Sequence, residues 1–428
     1  MLKYTKVQTP RGAKDILPPD GYKRSLLEAT AARRLEEWGY SRIYTPSLEF
    51  FDALAQGDGP QINDQLYRFV DRDGTTLALR PEMTTPVARV AATRFSDEDS
   101  PLRLYYAGSV FRYTEPQLGN SREFTQIGVE LLGGRGPSAD AEIVTLAISL
   151  FEALGLDRFQ VDLGHIGFIE GLTQGIDEPG FAAELKKALL DRDYVRYESI
   201  VSGGPVGAGA KAALLGLPVM RGGAELLAEA RKVAEGAPAA LAALDELSEV
   251  YALVKAYGLA DRVAIDLGMI KGLDYYTGLL IEGYAPELGS SLCTGGRYDG
   301  LVGKFGRDCP AIGFAFGVER VMLALERQGW NPPVPVPSVV FWSEQGEREA
   351  LFGAAAMARA GGISVEIGLE CETREDAARY AKRRGIRRIA RARRDGAGGL
   401  VLDAEDLESG KARSASADEL VRAGFAWA

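Results

Sequence analysis

The spacing of apolar residues shifts from a helical to an alternating pattern within the first eighty positions. Residues 20–38 repeat apolar side chains every three or four positions, which predicts a helix with one apolar face. Residues 40–50 follow as a predicted strand, and residues 65–82 alternate apolar and polar positions on both sides of Asp73 and Gly74. Because an Asp-Gly pair between two alternating runs is a strong turn signal, we expect a β-hairpin there.

A second strand pair flanks a longer polar segment. Residues 102–113 and 122–133 have strand patterns, and residues 114–121 ("TEPQLGNS") separate them. This segment is too long for a tight turn, and ordered loops of such length between strands are usually functional. Residues 138–156 then have a strong helical periodicity. The sequence therefore predicts two strands, a prominent loop between them, and a helix that follows.

Changes in composition and in the periodicity of apolar residues divide the chain into regions. Residues 166–260 are rich in Ala, Leu, Glu and Lys with helical periodicity, which indicates a helical insertion. Strand patterns return after it, and the Pro-rich segment 331–337 marks a domain boundary. Residues 338–428 alternate strand and helix, as in a small α/β domain with parallel strands. We expect a mixed α and β domain over residues 1–330, followed by this smaller domain.

Composition and charge narrow the functional classes. The chain has 428 residues, 46% of them hydrophobic and 26% charged, as in a soluble globular protein. Its formal net charge of −10 argues against a protein whose main task is to hold a polyanion. We find no secretory signal and no apolar run of about 18 residues, so we expect a cytoplasmic protein with no membrane partner.

Cysteine and histidine usage excludes several kinds of site. The three cysteines show no CxxC spacing, so they suggest reduced thiols and neither a disulfide framework nor a zinc site. The single histidine, His165, leaves almost no room for a histidine metal site or a Ser-His-Asp triad. We expect His165 to be structural and no metal to be bound.

A basic run near the C-terminus leaves two interpretations open. Residues 382–394 ("KRRGIRRIARARR") contain eight basic residues and no acidic one. Such a run suits contact with RNA. It suits equally a solvated helix face and a strand edge, and the acidic balance of the whole chain favours this second interpretation.

Three segments bring polar side chains to the ends of predicted strands. They are residues 79–89 ("LRPEMTTPVAR"), residues 111–130, and residues 271–278 ("KGLDYYTG"), which "GGRYDGL" follows. Together they offer carboxylates, an amide, phenols and cations. Carboxylates bind an ammonium group and cations bind a carboxylate, so the set suits a zwitterionic small molecule. Each segment alone is equally consistent with ordinary polar residues at a strand end.

These segments, in this order, resemble the catalytic core of histidyl-tRNA synthetase, a class II synthetase, over roughly residues 8–325. "YSRIYTPSLE" resembles the first class II motif, which builds a dimer interface, and residues 111–130 resemble the second. "FGVERVMLAL" resembles the third motif, with Arg320 at the arginine that grips ATP. The resemblance implies an α+β fold with an antiparallel sheet flanked by helices. It also implies that residues 338–428 are similar to an anticodon-binding domain.

Departures from the synthetase pattern fall on residues that handle ATP. Thr114 stands where the family has a glutamate that helps to hold adenine, and Asn120 stands where a loop arginine holds phosphates. Arg122 remains at the second loop arginine, and Lys271 replaces an arginine that assists adenylate formation. Arg and Lys are not interchangeable where a planar fork meets a carboxylate or a phosphate. We therefore expect a degenerate ATP site, no catalytic residue and no aminoacylation.

The positions that bind histidine in the family are better retained. With Lys271 at the altered position, the candidate histidine-binding residues are Glu82, Thr84, Arg112, Gln126, Glu130, Lys271, Tyr275 and Tyr276. An amino-acid pocket kept beside an eroded ATP site resembles the synthetase-like regulatory subunits of ATP phosphoribosyltransferase.

That resemblance implies a dimeric, non-catalytic subunit that joins a short-form catalytic subunit at the first step of histidine biosynthesis. It implies histidine as a feedback ligand, with no cofactor and no tRNA. The alternative is a divergent histidyl-tRNA synthetase, which the basic run and the C-terminal domain favour.

Overall fold

Two compact units follow one another along the chain, Met1–Pro332 and Pro333–Ala428. The computed structural model describes residues 9–95, 99–115, 121–176, 178–272 and 275–425. The division between the units falls inside the Pro-rich segment 331–337. None of the helices in the described ranges has the length and apolar character needed to cross a membrane.

The first unit contains the large sheet and the helical insertion. Its described helices are α1 (Asp20–Glu37), α2 (Phe51–Asn63), α3 (Thr84–Arg94), α4 (Gly136–Leu154), α5 (Ile166–Thr173), α6 (Phe181–Leu190), α7 (Tyr194–Gly203), α8 (Ala208–Gly216), α9 (Glu225–Val233), α10 (Pro238–Ala256) and α11 (Val318–Arg327). Its described strands are β1 (Ser41–Arg42), β2 (Leu48–Phe50), β3 (Arg68–Val70), β4 (Thr76–Leu79), β5 (Leu102–Phe111), β6 (Glu123–Leu132), β7 (Gln160–His165), β8 (Arg221–Gly222), β9 (Val263–Asp266), β10 (Leu279–Tyr284), β11 (Cys293–Arg297) and β12 (Ala311–Gly317).

Nine of these strands, counted over the described residues, form one sheet in the order β1-β5-β6-β12-β11-β10-β7-β9-β8. The central pairs from β5 to β7 are antiparallel, whereas β1 joins β5 and β9 joins β7 in parallel. One face is apolar and packs against α1, α4 and α11, because alternate strand residues such as Val129, Phe314 and Ile281 point into that core. The expected antiparallel sheet flanked by helices is confirmed.

The predicted hairpin belongs to a separate small sheet. Strands β2, β4 and β3 form it within the described chain, and the turn places Gly74 at a φ of +90°. The prediction of one continuous strand over residues 40–50 is wrong, because β1 joins the large sheet and β2 joins the small one. Pro46 lies between them, and proline has no N–H to donate to a strand ladder.

The helical insertion carries α5 to α10 and the short strand β8. Helices α5 and α10 approach closely, since Gly171 lies on the backbone at Ala240, where a side-chain carbon would overlap. His165 ends β7 and caps α5, because its Nδ1 accepts the Gly167 N–H at 3.2 Å. Its Nε2 lies 3.2 Å from a carboxylate oxygen of Glu246.

The second unit has its own sheet. Its described elements are β13 (Val339–Trp342), α12 (Arg348–Ala360), β14 (Val365–Ile367), α13 (Arg374–Arg384), β15 (Arg388–Arg394), β16 (Leu400–Asp406), β17 (Ala412–Ser416) and α14 (Ala417–Arg422). The strands are ordered β14-β13-β15-β16-β17. Only the first three, among the described strands, are parallel, so the prediction of a parallel sheet is wrong for β16 and β17. A tight connection at residues 395–399 turns the chain back and forces the antiparallel pairing.

The basic run 382–394 lies against acidic side chains of the same unit. Strand β15 is internal, between β13 and β16, so the expectation of a strand edge is wrong. Ion pairs join the run to carboxylates on neighbouring strands and loops: Arg384 to Glu366, Arg387 to Asp406, Arg391 to Glu344 and Arg393 to Asp403. Part of the positive charge of the run is therefore offset within the unit.

Candidate ligand-binding site

Glycines form the floor of the second face of the nine-stranded sheet. Cross-strand pairing places Glu130, Gly313, Gly296, Leu280 and Gly164 in one row across five strands, and directly paired residues share a face. The neighbouring row contains Gly128. Side chains therefore lie close to the backbone here, because a Cβ at Gly313 would overlap the Glu130 carboxylate. This face is shaped to hold polar groups at the level of the sheet.

Buried Glu130 lies at the centre of this face. It accepts hydrogen bonds from the hydroxyls of Tyr298 and, at 3.1 Å, Tyr106, and it interacts with the Thr84 side chain. Burial raises the pKa of Glu130 to about 8, against the lowering effect of the hydrogen bonds from Tyr298 and Thr84. A carboxyl group in this state suits a weakly basic ligand group with which it shares a proton.

A second buried carboxylate, Glu82, lies at the start of α3. Its oxygens accept the backbone N–H groups of Thr84 and, at 2.7 Å, Thr85. The first amides of a helix have no partner within the helix, so this carboxylate caps α3 and is itself held in place. After burial, its charge contributes to raising the pKa of Glu130.

Tyrosine rings enclose the carboxylates. The ring centroids of Tyr275 and Tyr276 are 4.9 Å apart, and those of Tyr275 and Tyr298 are 5.7 Å apart. The ring of Tyr276 lies over Gly296, where a Cβ would come within 2.8 Å of it. Burial, followed by the charge of Glu130, raises the pKa of Tyr276, so its hydroxyl remains a hydrogen-bond donor.

An open cavity of about 190 Å³ adjoins this cage. Arg112, Gln126 and Arg320 line it, together with Thr114 and Phe124. The Arg112 guanidinium donates to the Pro81 carbonyl at 2.8 Å and lies 5.5 Å from the Phe124 ring centroid, while Gln126 accepts the Met83 N–H at 3.1 Å. Burial and the charge of Arg112 lower the pKa of Arg320, so two cations face one cavity. Glu319 also lines the cavity, and the excess of positive charge favours an anionic ligand group.

Two cations that the sequence assigns to the histidine or ATP positions contact other groups of the protein in the structure. Lys271 forms an ion pair with Glu282, and both side chains are mostly buried. Arg122 does not line the cavity: it donates to the Thr114 carbonyl at 3.0 Å and lies 4.3 Å from the Tyr113 ring centroid. Asn120 lies outside the described residues.

The structure thus brings most candidate residues together on one face of the sheet. Glu82, Thr84, Glu130, Tyr275 and Tyr276 form the cage, and Arg112 and Gln126 join the cavity beside it. Sequence reasoning missed three side chains of the site: Tyr106, Glu282 and Tyr298. Tyr298 stands within the quoted "GGRYDGL" motif and Tyr106 within a predicted strand, so motif position and strand alternation were the available signals. No group of three or more His, Cys, Asp or Glu in the described ranges suits a metal ion.

Comparisons with known proteins place the chain among related sequences and structures. A family model described as "Histidyl-tRNA synthetase" matches residues 12–321. An "ATP phosphoribosyltransferase regulatory subunit" of Moorella thermoacetica is 40% identical over 387 residues, which cover 90% of this chain and 98% of that protein.

Solved structures give the same picture. The chain is similar to an "ATP phosphoribosyltransferase regulatory subunit/histidyl-tRNA synthetase" of Bacillus halodurans C, with a TM-score of 0.79, 30% identity, and coverage of 89% of this chain and 97% of that one. A histidyl-tRNA synthetase of Nostoc sp. PCC 7120 also has a TM-score of 0.79, with 99% of both chains covered. Its identity of 23% supports a common fold alone.

Proposed function

The chain belongs to the histidyl-tRNA synthetase family, in its branch of ATP phosphoribosyltransferase regulatory subunits, and from this membership we propose that it binds histidine and thereby regulates a separate catalytic subunit. The partner is a short-form ATP phosphoribosyltransferase, which performs the first step of histidine biosynthesis. Histidine, its end product, is then the natural feedback signal. The subunit itself performs no aminoacylation.

The carboxylate and tyrosine cage supports histidine as the ligand. An imidazole ring is weakly basic near neutral pH, and Glu130 has a pKa of about 8. The two groups share a proton readily, while the tyrosine rings supply apolar walls and donors. The cavity beside the cage, with Arg112 and Gln126, suits the polar amino-acid end of the ligand.

One observation carries the non-catalytic part of the proposal: Arg122, at the position of a phosphate-binding loop arginine, donates to the Thr114 carbonyl and does not line the cavity. Adenylate formation needs unpaired donors aimed at developing phosphoryl charge, and each such donor contributes about 3 kcal/mol. Arg122 faces Tyr113, and Thr114 offers the cavity no charge. The site supports binding of an amino acid better than reaction with ATP.

The alternative of a divergent histidyl-tRNA synthetase finds less support. RNA binding depends on Lys and Arg side chains that neutralise phosphates. In the second unit, the basic run 382–394 is paired with carboxylates such as Glu366 and Asp403. We therefore propose that this unit does not serve as an anticodon-binding domain.

The small sheet supports self-association. Leu48 and Phe50 on β2 share one face with Phe69 on β3, since Phe50 and Phe69 both pair with Leu77. These side chains are exposed, with Phe50 61% accessible. An exposed apolar sheet face is typical of an interface, so we propose that a second copy of the chain covers it and forms a dimer.

The test combines binding with activity. Purified protein is titrated with L-histidine by calorimetry, then mixed with a short-form catalytic subunit, whose activity is measured with and without histidine. We expect saturable histidine binding and co-purification of the two subunits. We also expect the mixture to have ATP phosphoribosyltransferase activity, and histidine to reduce that activity. Tyr298→Phe removes a donor to Glu130 and is expected to weaken histidine binding about tenfold, while Tyr257→Phe, an exposed tyrosine, serves as the matched control.

Two results oppose the proposal. Histidine-dependent exchange between ATP and pyrophosphate at synthetase-like rates, or charging of histidine tRNA, establishes the synthetase instead. If the subunits neither associate nor restore activity, the regulatory role is wrong even if histidine binds.

A further inference from the structure

A salt bridge joins the helical insertion to the large sheet. Arg221, on β8, donates through Nε to Asp162 Oδ2 at 2.8 Å and through Nη2 to Oδ1 at 3.1 Å. Asp162 is 1% exposed on β7, whereas half of the Arg221 side chain is exposed. Such a two-point contact holds a guanidinium in a fixed orientation, and it adds to the antiparallel pairing of β8 with β9.

Asp162 faces another carboxylate across the sheet. It pairs directly with Glu282 on β10, so both side chains point to the same face. Asp266, on β9, is the direct cross-strand partner of Arg221, and burial, followed by the charge of Asp162, raises its pKa. Like charges opposite one another destabilise a sheet unless cations compensate them. Arg221 compensates Asp162, and Lys271 compensates Glu282.

This group of charges reaches the ligand site. Glu282 pairs with Thr294, and Thr294 pairs with Ala315, both of which line the cavity. Lys271 begins the segment that continues to the tyrosines of the cage. The two cations therefore bind neighbouring carboxylates of one group. Lys271 pairs with Glu282 on the side of the pocket, and Arg221 pairs with Asp162 on the side of the insertion.

We propose that Arg221 is a positioning residue for ligand binding, which offsets the charge of Asp162 and so leaves Lys271 free to exchange Glu282 for a ligand carboxylate. This inference rests on the proposed function, because it concerns the same histidine site. Without Arg221, the excess negative charge holds Lys271 more tightly and repels the ligand carboxylate. By linkage, ligand binding in turn strengthens the contact between Arg221 and Asp162, so the insertion senses the occupied pocket.

The first test uses the full chain and two ligands. In Arg221→Gln, we expect the dissociation constant for L-histidine to rise about fivefold or more. The constant for L-histidinamide, which has no carboxylate, is expected to change less than twofold. Arg221→Lys keeps the charge and is expected to recover most of the affinity. Arg231→Gln is the matched control, because Arg231 pairs with Asp245 elsewhere in the insertion.

Charge balance gives a second variant. Adding Asp162→Asn to Arg221→Gln removes the surplus negative charge and is expected to restore histidine affinity to within about twofold of the original. Equal losses for histidine and histidinamide, with no recovery in the double variant, would mean that Arg221 merely supports the fold, and would overturn the proposal.

A measurement without ligand separates this inference from the proposed function. We expect Lys271→Gln and Arg221→Gln together to lower the free energy of unfolding in urea by more than the sum of the single changes. In each single variant the remaining cation still offsets part of the shared negative charge, whereas the double variant has neither cation. Additive effects contradict the shared network, even in a protein that binds histidine. Non-additive effects in a protein that binds no histidine support the network and reject the proposed function.

Discussion

At the scale of single residues, the site depends on a carboxyl group that burial keeps from ionising freely. Glu130 is surrounded by the hydroxyls of Tyr106, Tyr298 and Thr84, and it lies on a glycine floor. A sequence reader recognises Glu130 as a candidate from its motif. Its protonation follows from side chains up to 168 positions away along the chain, which no local pattern contains.

Glu130 predicts a distinctive dependence of stability on pH. Its pKa is about 8 in the folded protein and 4.5 ordinarily, so between these values the folded state binds more protons than the unfolded chain. The contribution of Glu130 to the free energy of unfolding is fully present below about pH 4.5. It is lost as the pH rises through 8, by at most about 1.4 kcal/mol per pH unit. Glu130→Gln cannot ionise, so its free energy of unfolding should increase relative to the original protein as pH rises.

Urea unfolding at pH 5, 7 and 8.5 measures this difference. The control is Glu235→Gln, which alters an exposed carboxylate of the insertion. If the two curves for Glu130→Gln and the original protein stay parallel across this range, Glu130 does not hold its proton as we infer.

The glycine floor predicts an effect of a single methyl group. In Gly313→Ala, the new Cβ overlaps the Glu130 carboxylate and the backbone carbonyl of Val129, which cannot move aside freely. We expect a loss of roughly 1–3 kcal/mol in the free energy of unfolding and loss of histidine binding. Gly289→Ala is the control, since nothing lies within 4 Å of a Cβ there. Normal histidine affinity in Gly313→Ala would show that the floor is not needed.

At the scale of elements, the small sheet exposes large apolar side chains that a sheet usually buries. One face carries Ala78 into the core, and the other exposes Leu48, Phe50 and Phe69. Hydropathy alternation predicted the hairpin but not which face meets solvent, because both faces carry apolar side chains. Tertiary packing of α2 against one face leaves the other available to a partner.

Phe50→Asp tests this face. A carboxylate buried in an apolar interface loses its hydration without gaining a partner, so we expect the dimer to dissociate at least tenfold more readily. Val70→Asp is a matched control, because Val70 is 70% exposed but points to the opposite side of the same sheet. Light scattering after gel filtration gives the masses. A dimer that both variants retain equally excludes this face as the interface.

At the scale of the whole molecule, the chain consists of two units, each with its own core. The residues of the cage and the cavity lie in the first unit, and the second contributes none of those described. In the second unit, ion pairs such as Arg387–Asp406 and Arg393–Asp403 offset part of the positive charge that RNA binding would use. The two units are therefore expected to divide their roles.

Removal of residues 333–428 tests that division. We expect the remaining fragment, residues 1–332, to bind histidine within about twofold of the affinity of the full chain, because its core and site are complete. Calorimetry measures the affinity, and circular dichroism verifies that the fragment is folded. A folded fragment that no longer binds histidine would place part of the site in the second unit.

The sequence alone predicted the class of fold, most helices and strands of the first unit, and part of the cage: Glu82, Thr84, Glu130, Tyr275 and Tyr276. Local spacing carries the helices and strands, because their periods repeat over a few residues. The cage residues followed from the resemblance to the synthetase motifs. The sequence did not determine which charges pair. Lys271 with Glu282, Arg221 with Asp162, and the basic run with its carboxylates all depend on strand order and register. Only the tertiary structure sets these, since it brings distant segments together, and so it decided which retained cations remain available to a ligand.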